Sequence, residues 1–168
     1  GCTATAMAQV MKYWNYPATG SGFHSYFHPT YGTLSANFGN TTYDWASMPN
    51  VVSSPNDAVA TFTYQVGVSV DMNYSPQVSY AYMISSQSPL TNCAEYALKT
   101  YFGYKNTMQG LQRANYSEAQ WINLLKTELD ASRPVLYAGW GTGGGHCFAT
   151  DGYDNNNYFH FNWGWGGA

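Results

Sequence analysis

Cys2 and His146 are the residues of this chain best suited to nucleophilic chemistry, and Asn162 follows His146 where it could serve it. A thiolate, not a thiol, is the nucleophile, and an unpaired helix N-terminus or a neighbouring imidazolium favours the thiolate. Cys2 lies in GCTATAMAQVMKYWNYP, where Ala6, Met7, Val10, Met11 and Trp14 recur at three- and four-residue steps. That period predicts one buried helix face, ended by Asn15 and Pro17, with Cys2 in the first turn. His146 follows GTGGG, a run that allows close backbone approach. His146 to Thr150 reads as a short strand, Asp151 to Asn157 as a turn, and Tyr158 to Phe161 as the returning strand. This places Asn162 beside His146, where it could accept the imidazole N–H and hold the ring. Trp163 or Trp165 could cover that bond and keep water from it.

The elements that must position these groups are legible more coarsely. Residues 18 to 48 are rich in Gly and aromatics and suggest short strands and loops. A helix is predicted from Asp57 to Val70, capped by Asn56 or Asp57 and ending near Gly67. Residues 71 to 88 show no clear period. A second helix is predicted from Thr91 to Phe102, with Thr91 as cap and Gly103 as stop, and a third from Ser117 to Leu129. Pro134 leads into a strand at Val135 to Ala138. A helical first half followed by a sheet-forming second half fits an α+β class with a cleft between them.

Other residues have simpler readings. Asp151 is an alternative third member, but its place in the predicted turn accounts for it. Cys147 adjoins His146, so strand alternation turns it away and into the core. Cys93 reads as helix packing, and His160 as structural. Cys2, Cys93, Cys147, His146 and His160 show no CxxC or HxxxH spacing, so no metal is expected. Three cysteines argue against a disulfide framework.

The 168 residues are enough for one domain with a real core. Only 9% are charged and the net charge is −3, so there is no basic stripe to attract nucleic acid. No apolar run approaches the roughly 20 residues of a membrane span. Polarity comes mostly from Asn, Ser, Thr, Gly and Tyr, which suits an extracellular or periplasmic protein.

The order of motifs resembles the streptopain family of bacterial cysteine peptidases. The matching stretches are residues 1 to 17, YDWASMP at 43 to 49, VGVSVDMNYSP at 66 to 76 and ALKTYFGY at 97 to 104. RPVLYAG at 133 to 139, GGHCFATDGYD at 144 to 154 and FHFNWGWGG at 159 to 167 complete the series. The resemblance implies a papain-like fold, with a helical half carrying the cysteine packed against an antiparallel sheet half carrying the histidine. It implies endopeptidase action on proteins or peptides, with no cofactor, and secretion as a zymogen with an N-terminal pro-domain. Carried over residue by residue, it makes Cys2 the nucleophile, His146 the base, Asn162 its orienting partner and Trp163 or Trp165 the shield. Gly145, Ser88 and Trp165 become candidate substrate contacts. The family's oxyanion-hole glutamine would precede Gly1, and its final strands would follow Ala168. Residues 1 to 168 are therefore expected to form a single catalytic domain cut at both ends. A thiol amidase or acyltransferase of the same fold, an inactive binding module and a carbohydrate-binding surface are the alternatives.

Overall fold

The computed structural model describes residues 1–86 and 91–165. Its first element, helix α1 (Cys2–Trp14), buries Thr3, Ala4, Ala6, Met7, Val10 and Met11 on one face, as the sequence period predicts. Trp14 departs from that face: it is exposed and meets Tyr13 edge-on. Asn15 ends the helix in the left-handed region at φ 46°, a conformation Asn tolerates at a helix C-terminus.

A hairpin follows, made of β1 (Phe23–His28) and β2 (Gly32–Asn37). Helix α2 (Asp57–Ser69) packs against both its strands and against α1. The Asn56 side chain accepts from Val59 N–H and caps this helix, which continues past Gly67. The next helix, α3 (Ala94–Thr100), is shorter than the sequence suggests. Thr91 does not cap it. Cys93 occupies the N-cap, and its side chain makes no capping bond to the helix. Glu95 instead reaches out of the helix to the Ser85 N–H and hydroxyl, tying down the irregular chain before it. Helix α4 (Glu118–Asp130) begins with a capping box between Ser117 and Gln120.

The second half is an antiparallel sheet of β3 (Val135–Gly141), β4 (Gly144–Tyr153) and β5 (Phe159–Asn162), in the order β3-β4-β5. Leu136, Ala138, Cys147 and Ala149 share the face that meets α1. Tyr137, Phe148 and Phe161 share the other, where Trp121 of α4 donates its indole N–H to the Tyr137 hydroxyl. The sheet departs from the sequence reading in the bounds of β4. The strand starts before His146, since Gly144 and Gly145 already pair with Gly141 and Trp140. Strand β4 also runs through Asp151 to Tyr153, with an irregularity between Thr150 and Gly152. The true turn is built by Asp154, whose carboxylate accepts from the Asn156 and Tyr158 N–H groups.

The core lies between α1, α2, the hairpin and the inner sheet face, filled by Met7, Met11, Phe38, Phe62, Met72 and Phe102. Phe62 is 1% exposed and packs edge-on to Tyr43 and Trp45, at ring separations of 4.9 and 4.7 Å. Phe62→Ala should therefore destabilise the fold by about 3–5 kcal/mol, the range for emptying a buried aromatic site. A shift of the chemical denaturation midpoint with unchanged slope would show it; a loss under about 1 kcal/mol would mean that the site collapses to fill the void.

Candidate active site

Cys2 is the first residue of α1, at the end where backbone N–H groups have no helical partner. It lines a cavity of about 330 Å³ together with His146, Gly145 and Trp140 from the β3–β4 hairpin. Val78, Tyr80 and Tyr82 form a facing wall from the irregular chain before α3. A second cavity of about 340 Å³, lined by Tyr31, Tyr64 and Tyr74 among others, has neither cysteine nor histidine in its wall. The cavity beside Cys2 is therefore the one fitted for nucleophilic chemistry.

The Cys2 thiol is brought down to about 5. The largest cause is a hydrogen bond from the Cys147 thiol. Burial opposes it, while backbone N–H groups of Cys147 and Thr3 and the charge of His146 assist. Cys147 moves the opposite way, because the thiolate beside it and its own burial both resist a second negative charge. Its single S–H has two neighbours, the Cys2 sulfur and the Thr3 hydroxyl at 3.3 Å. The Thr3 proton is committed to the Ala81 carbonyl at 3.1 Å. The core reading of Cys147 is right as to burial, at 8% exposure, but it misses this contact.

His146 is oriented by backbone. Its Nε2 lies 2.9 Å from the carbonyl oxygen of Trp163. A carbonyl only accepts, so Nε2 carries a proton, and Nδ1 remains for proton exchange with the thiol. The expected bond from His146 to Asn162 is absent. Asn162 pairs with Ala149, three residues from His146, and shares with it the sheet face toward α1. There its Oδ1 accepts from Gln9 Nε2 at 2.7 Å and from Gly164 N–H at 3.0 Å. Asn162 thus holds the chain on either side of the Trp163 carbonyl rather than the imidazole. Gly164 sits at φ 78°, and a Cβ there would meet Thr5 at 2.9 Å, so this turn over α1 needs glycine.

The tryptophans divide differently from expectation. The Trp163 ring packs at a tilt against Phe148, 4.6 Å away, while its carbonyl meets the imidazole. Trp165, 66% exposed, has its ring 5.0 Å from that of His146; it is not among the cavity-lining residues. Gly145 does line the cavity, and a Cβ on it would come within 2.5 Å of the Trp140 indole nitrogen. Ser88 lies outside the described residues. Asp151 sits in β4 rather than in the turn and pairs with His160 at 2.5 Å, away from His146. Thr3, Gln9, Trp140 and Cys147 were not singled out for the site from sequence. Only Trp140, a tryptophan six residues before His146 in a glycine-rich hairpin, had a usable signal.

Asn162 and Gln9 support one carbonyl, so they should act as a unit. Asn162→Ala and Gln9→Ala are each expected to slow alkylation of Cys2 near neutral pH by about 5- to 30-fold, the scale of one buried hydrogen bond. The double variant should cost little more than either single one, since neighbours in one network are non-additive. Asp151→Asn should leave the rate unchanged. Additive losses, or an effect of Asp151→Asn equal to that of Asn162→Ala, would refute this arrangement.

Comparison with known proteins places the site in a family. The family model described as the Peptidase C10 family matches residues 1–168. Streptopain of Streptococcus pyogenes is 37% identical over all of this chain and 43% of its own length. The thiol protease/hemagglutinin PrtT of Porphyromonas gingivalis is 37% identical, over 99% of this chain and 19% of its own. This chain thus spans less than half the length of these relatives. The solved structure of active wild-type interpain A, a cysteine protease of Prevotella intermedia, superposes with TM-score 0.87 and 38% identity, covering 99% of this chain and 71% of that one. A mutant fragment of prointerpain A gives TM-score 0.84 and 39% identity over 99% of this chain and 53% of that one. With the family model matching residues 1–168 and the fold shared with interpain A, the chain belongs to the Peptidase C10 family.

Proposed function

We propose that residues 1–168 are the catalytic part of a cysteine endopeptidase that hydrolyses peptide bonds in protein substrates. The observation that carries this reading is Cys2 in the first turn of α1, its thiol depressed to about 5, sharing one cavity with His146. Family membership and the likeness to interpain A, a cysteine protease, support it. The thiolate of Cys2 attacks the scissile carbonyl carbon. The resulting oxyanion is met by the Cys2 backbone N–H, one donor of this kind being worth about 2–4 kcal/mol in the transition state. His146 gives its Nδ1 proton to the departing amine. Its Nε2–H stays on the Trp163 carbonyl, so the ring does not turn as it changes charge. Nδ1 then takes a proton from water, which attacks the thioester and frees Cys2.

Gly145 and the exposed Trp140 form one rim of the cleft, with Tyr80 and Tyr82 opposite. We assign the extended substrate backbone to the Gly145 side, where the missing side chain permits close approach. The relation to a prointerpain structure supports an N-terminal pro-segment in the full-length protein. Bacterial relatives of this kind support export from the cell. Among the described residues no helix is long and apolar enough to cross a membrane.

The chemistry can be read from Cys2 directly. A thiol with a depressed pKa is ionised above that value and protonated below it. Labelling of Cys2 by iodoacetamide should therefore rise with pH through about 5 and be lost on further acidification. Cys93 and Cys147, both raised, should label much more slowly. Cys2→Ala should abolish cleavage of a denatured protein substrate while the folded spectrum persists. Equal labelling of all three thiols would overturn the assignment of the nucleophile. Hydrolysis of small amides without any cleavage of proteins would overturn the endopeptidase reading.

A second test concerns the rim. Gly145→Ala places a methyl group against the indole of the exposed Trp140. It should cost little stability but lower kcat/KM for peptides by about tenfold, the scale of one displaced binding contact. Unchanged kcat/KM would remove Gly145 and Trp140 from the substrate path.

A further inference from the structure

Nothing in the peptidase chemistry needs a second thiol, yet one lies against the first. Cys147 is buried at 8% exposure on the inner face of β4, with its sulfur 3.3 Å from the hydroxyl of Thr3, the residue that follows Cys2. Both sulfurs line the same cavity. They belong to the first turn of α1 and to strand β4, which pack directly on one another. Thr3, fully buried one residue from Cys2, touches the Cys147 sulfur and anchors to the Ala81 carbonyl. The two thiols are therefore held as neighbours by the fold, 145 positions apart in the chain, rather than meeting by fluctuation.

We propose that Cys147 is the resolving partner of Cys2, so that a peroxide converts the active site into a reversible Cys2–Cys147 disulfide. The proposal rests on Cys2 being the reactive thiolate. Hydrogen peroxide is the oxidant. The Cys2 thiolate attacks one peroxide oxygen, the O–O bond breaks, hydroxide leaves, and Cys2 becomes a sulfenic acid. Two electrons pass from sulfur to peroxide in this step. Cys147 sulfur then attacks the Cys2 sulfur, the S–O bond breaks, and the departing oxygen takes the Cys147 proton and leaves as water. No further oxidant is consumed.

The order of the steps follows from the surroundings of each sulfur. Cys2 is only half buried and opens to the cavity, so peroxide reaches it first. While Cys2 is an anion, its charge keeps Cys147 protonated and inert. Oxidation to the neutral sulfenic acid removes that charge and leaves an electrophilic sulfur beside Cys147. The resolving thiol is thus silenced during turnover and released by the event it answers. Without it, a sulfenic acid open to solvent proceeds to sulfinic and sulfonic acids, which thiol reductants do not reverse.

The test uses active enzyme prepared from the full-length protein. It is titrated with hydrogen peroxide, quenched with an alkylating agent, digested without reduction and mapped by mass spectrometry. The expected result is a linked peptide pair containing Cys2 and Cys147 that grows as activity falls, with dithiothreitol removing the link and restoring activity. In Cys147→Ser, which keeps a hydrogen-bond donor, the link should be missing and Cys2 should carry sulfinic acid. The fraction of activity recovered by dithiothreitol should then fall by about fivefold or more, since oxidation passes the reversible stage. Oxidised Cys2 without the linked pair in the parent enzyme would overturn the proposal, as would links to Cys93 or between molecules instead. Equal recovery of parent and Cys147→Ser would also overturn it. Absence of proteolysis before any peroxide would instead count against the peptidase reading, since the linked pair is scored by mass and needs no turnover.

Discussion

The site depends on one packing constraint, the seating of the first turn of α1 on strand β4. Thr3 and Ala4 are buried there almost completely, and Ala6 follows one turn on. Small side chains let the helix axis approach the sheet closely, and the Thr3 hydroxyl finds the Ala81 carbonyl instead of being stranded without a partner. This seat decides where Cys2 can be. Its sulfur must emerge at the N-terminal edge of the helix, where the cavity opens and His146 stands on the neighbouring strand. A larger residue at position 3 or 4 would lift that end of the helix and separate nucleophile from base. The energy holding the catalytic pair together thus comes from apolar burial along α1, and the pair itself need contribute little to folding.

Most of this was legible in the sequence because it depends on local patterns. The three- and four-residue recurrence of apolar residues marks the buried face of α1, and Ser117 with Gln120 marks the start of α4. The nucleophile and base could be found because each lies beside an element whose form is locally encoded. The partner of His146 could not. Placing Asn162 next to His146 assumed a hairpin with an early turn, but β4 runs on to Tyr153 and carries an irregularity after Thr150. A side chain in a strand alternates faces with each residue, so a small error in register sends it to the other side of the sheet. Thr91 failed as a cap for a related reason. The real start of α3 is set by tertiary contacts of Glu95 with Ser85, which no local pattern encodes.

Orientation of the imidazole by a backbone carbonyl changes what must be kept fixed. A side-chain acceptor can be tuned or lost by one substitution at its own position. The Trp163 carbonyl can be lost only by moving the chain. Its position is therefore spread over several supports: Asn162 bonding to Gln9 and Gly164, the Trp163 ring wedged on Phe148, and the turn at Gly164 lying over Thr5. Gln9 reaches the site from the second turn of α1 onward, so the helix that carries the nucleophile also braces the group that orients the base. Cys2 and the Trp163 carbonyl then move together if α1 shifts, which preserves their relation to His146 better than independent supports would.

The same seat brings Cys147 to Cys2. Because cross-strand alternation sends His146 and Cys147 to different faces of β4, a helix lying along the inner face meets Cys147 directly, while His146 reaches the cavity from the rim. The nucleophile therefore has two titrating neighbours of opposite character. His146 favours its thiolate by positive charge, and Cys147 favours it by donating a weak hydrogen bond from a site too buried to ionise beside it. Replacing the thiol with an apolar group would leave the charge attraction but remove the donor, so thiolate would persist with less support from within the fold. The position after the base thus bears on the reactivity of a residue at the other end of the chain, through packing alone.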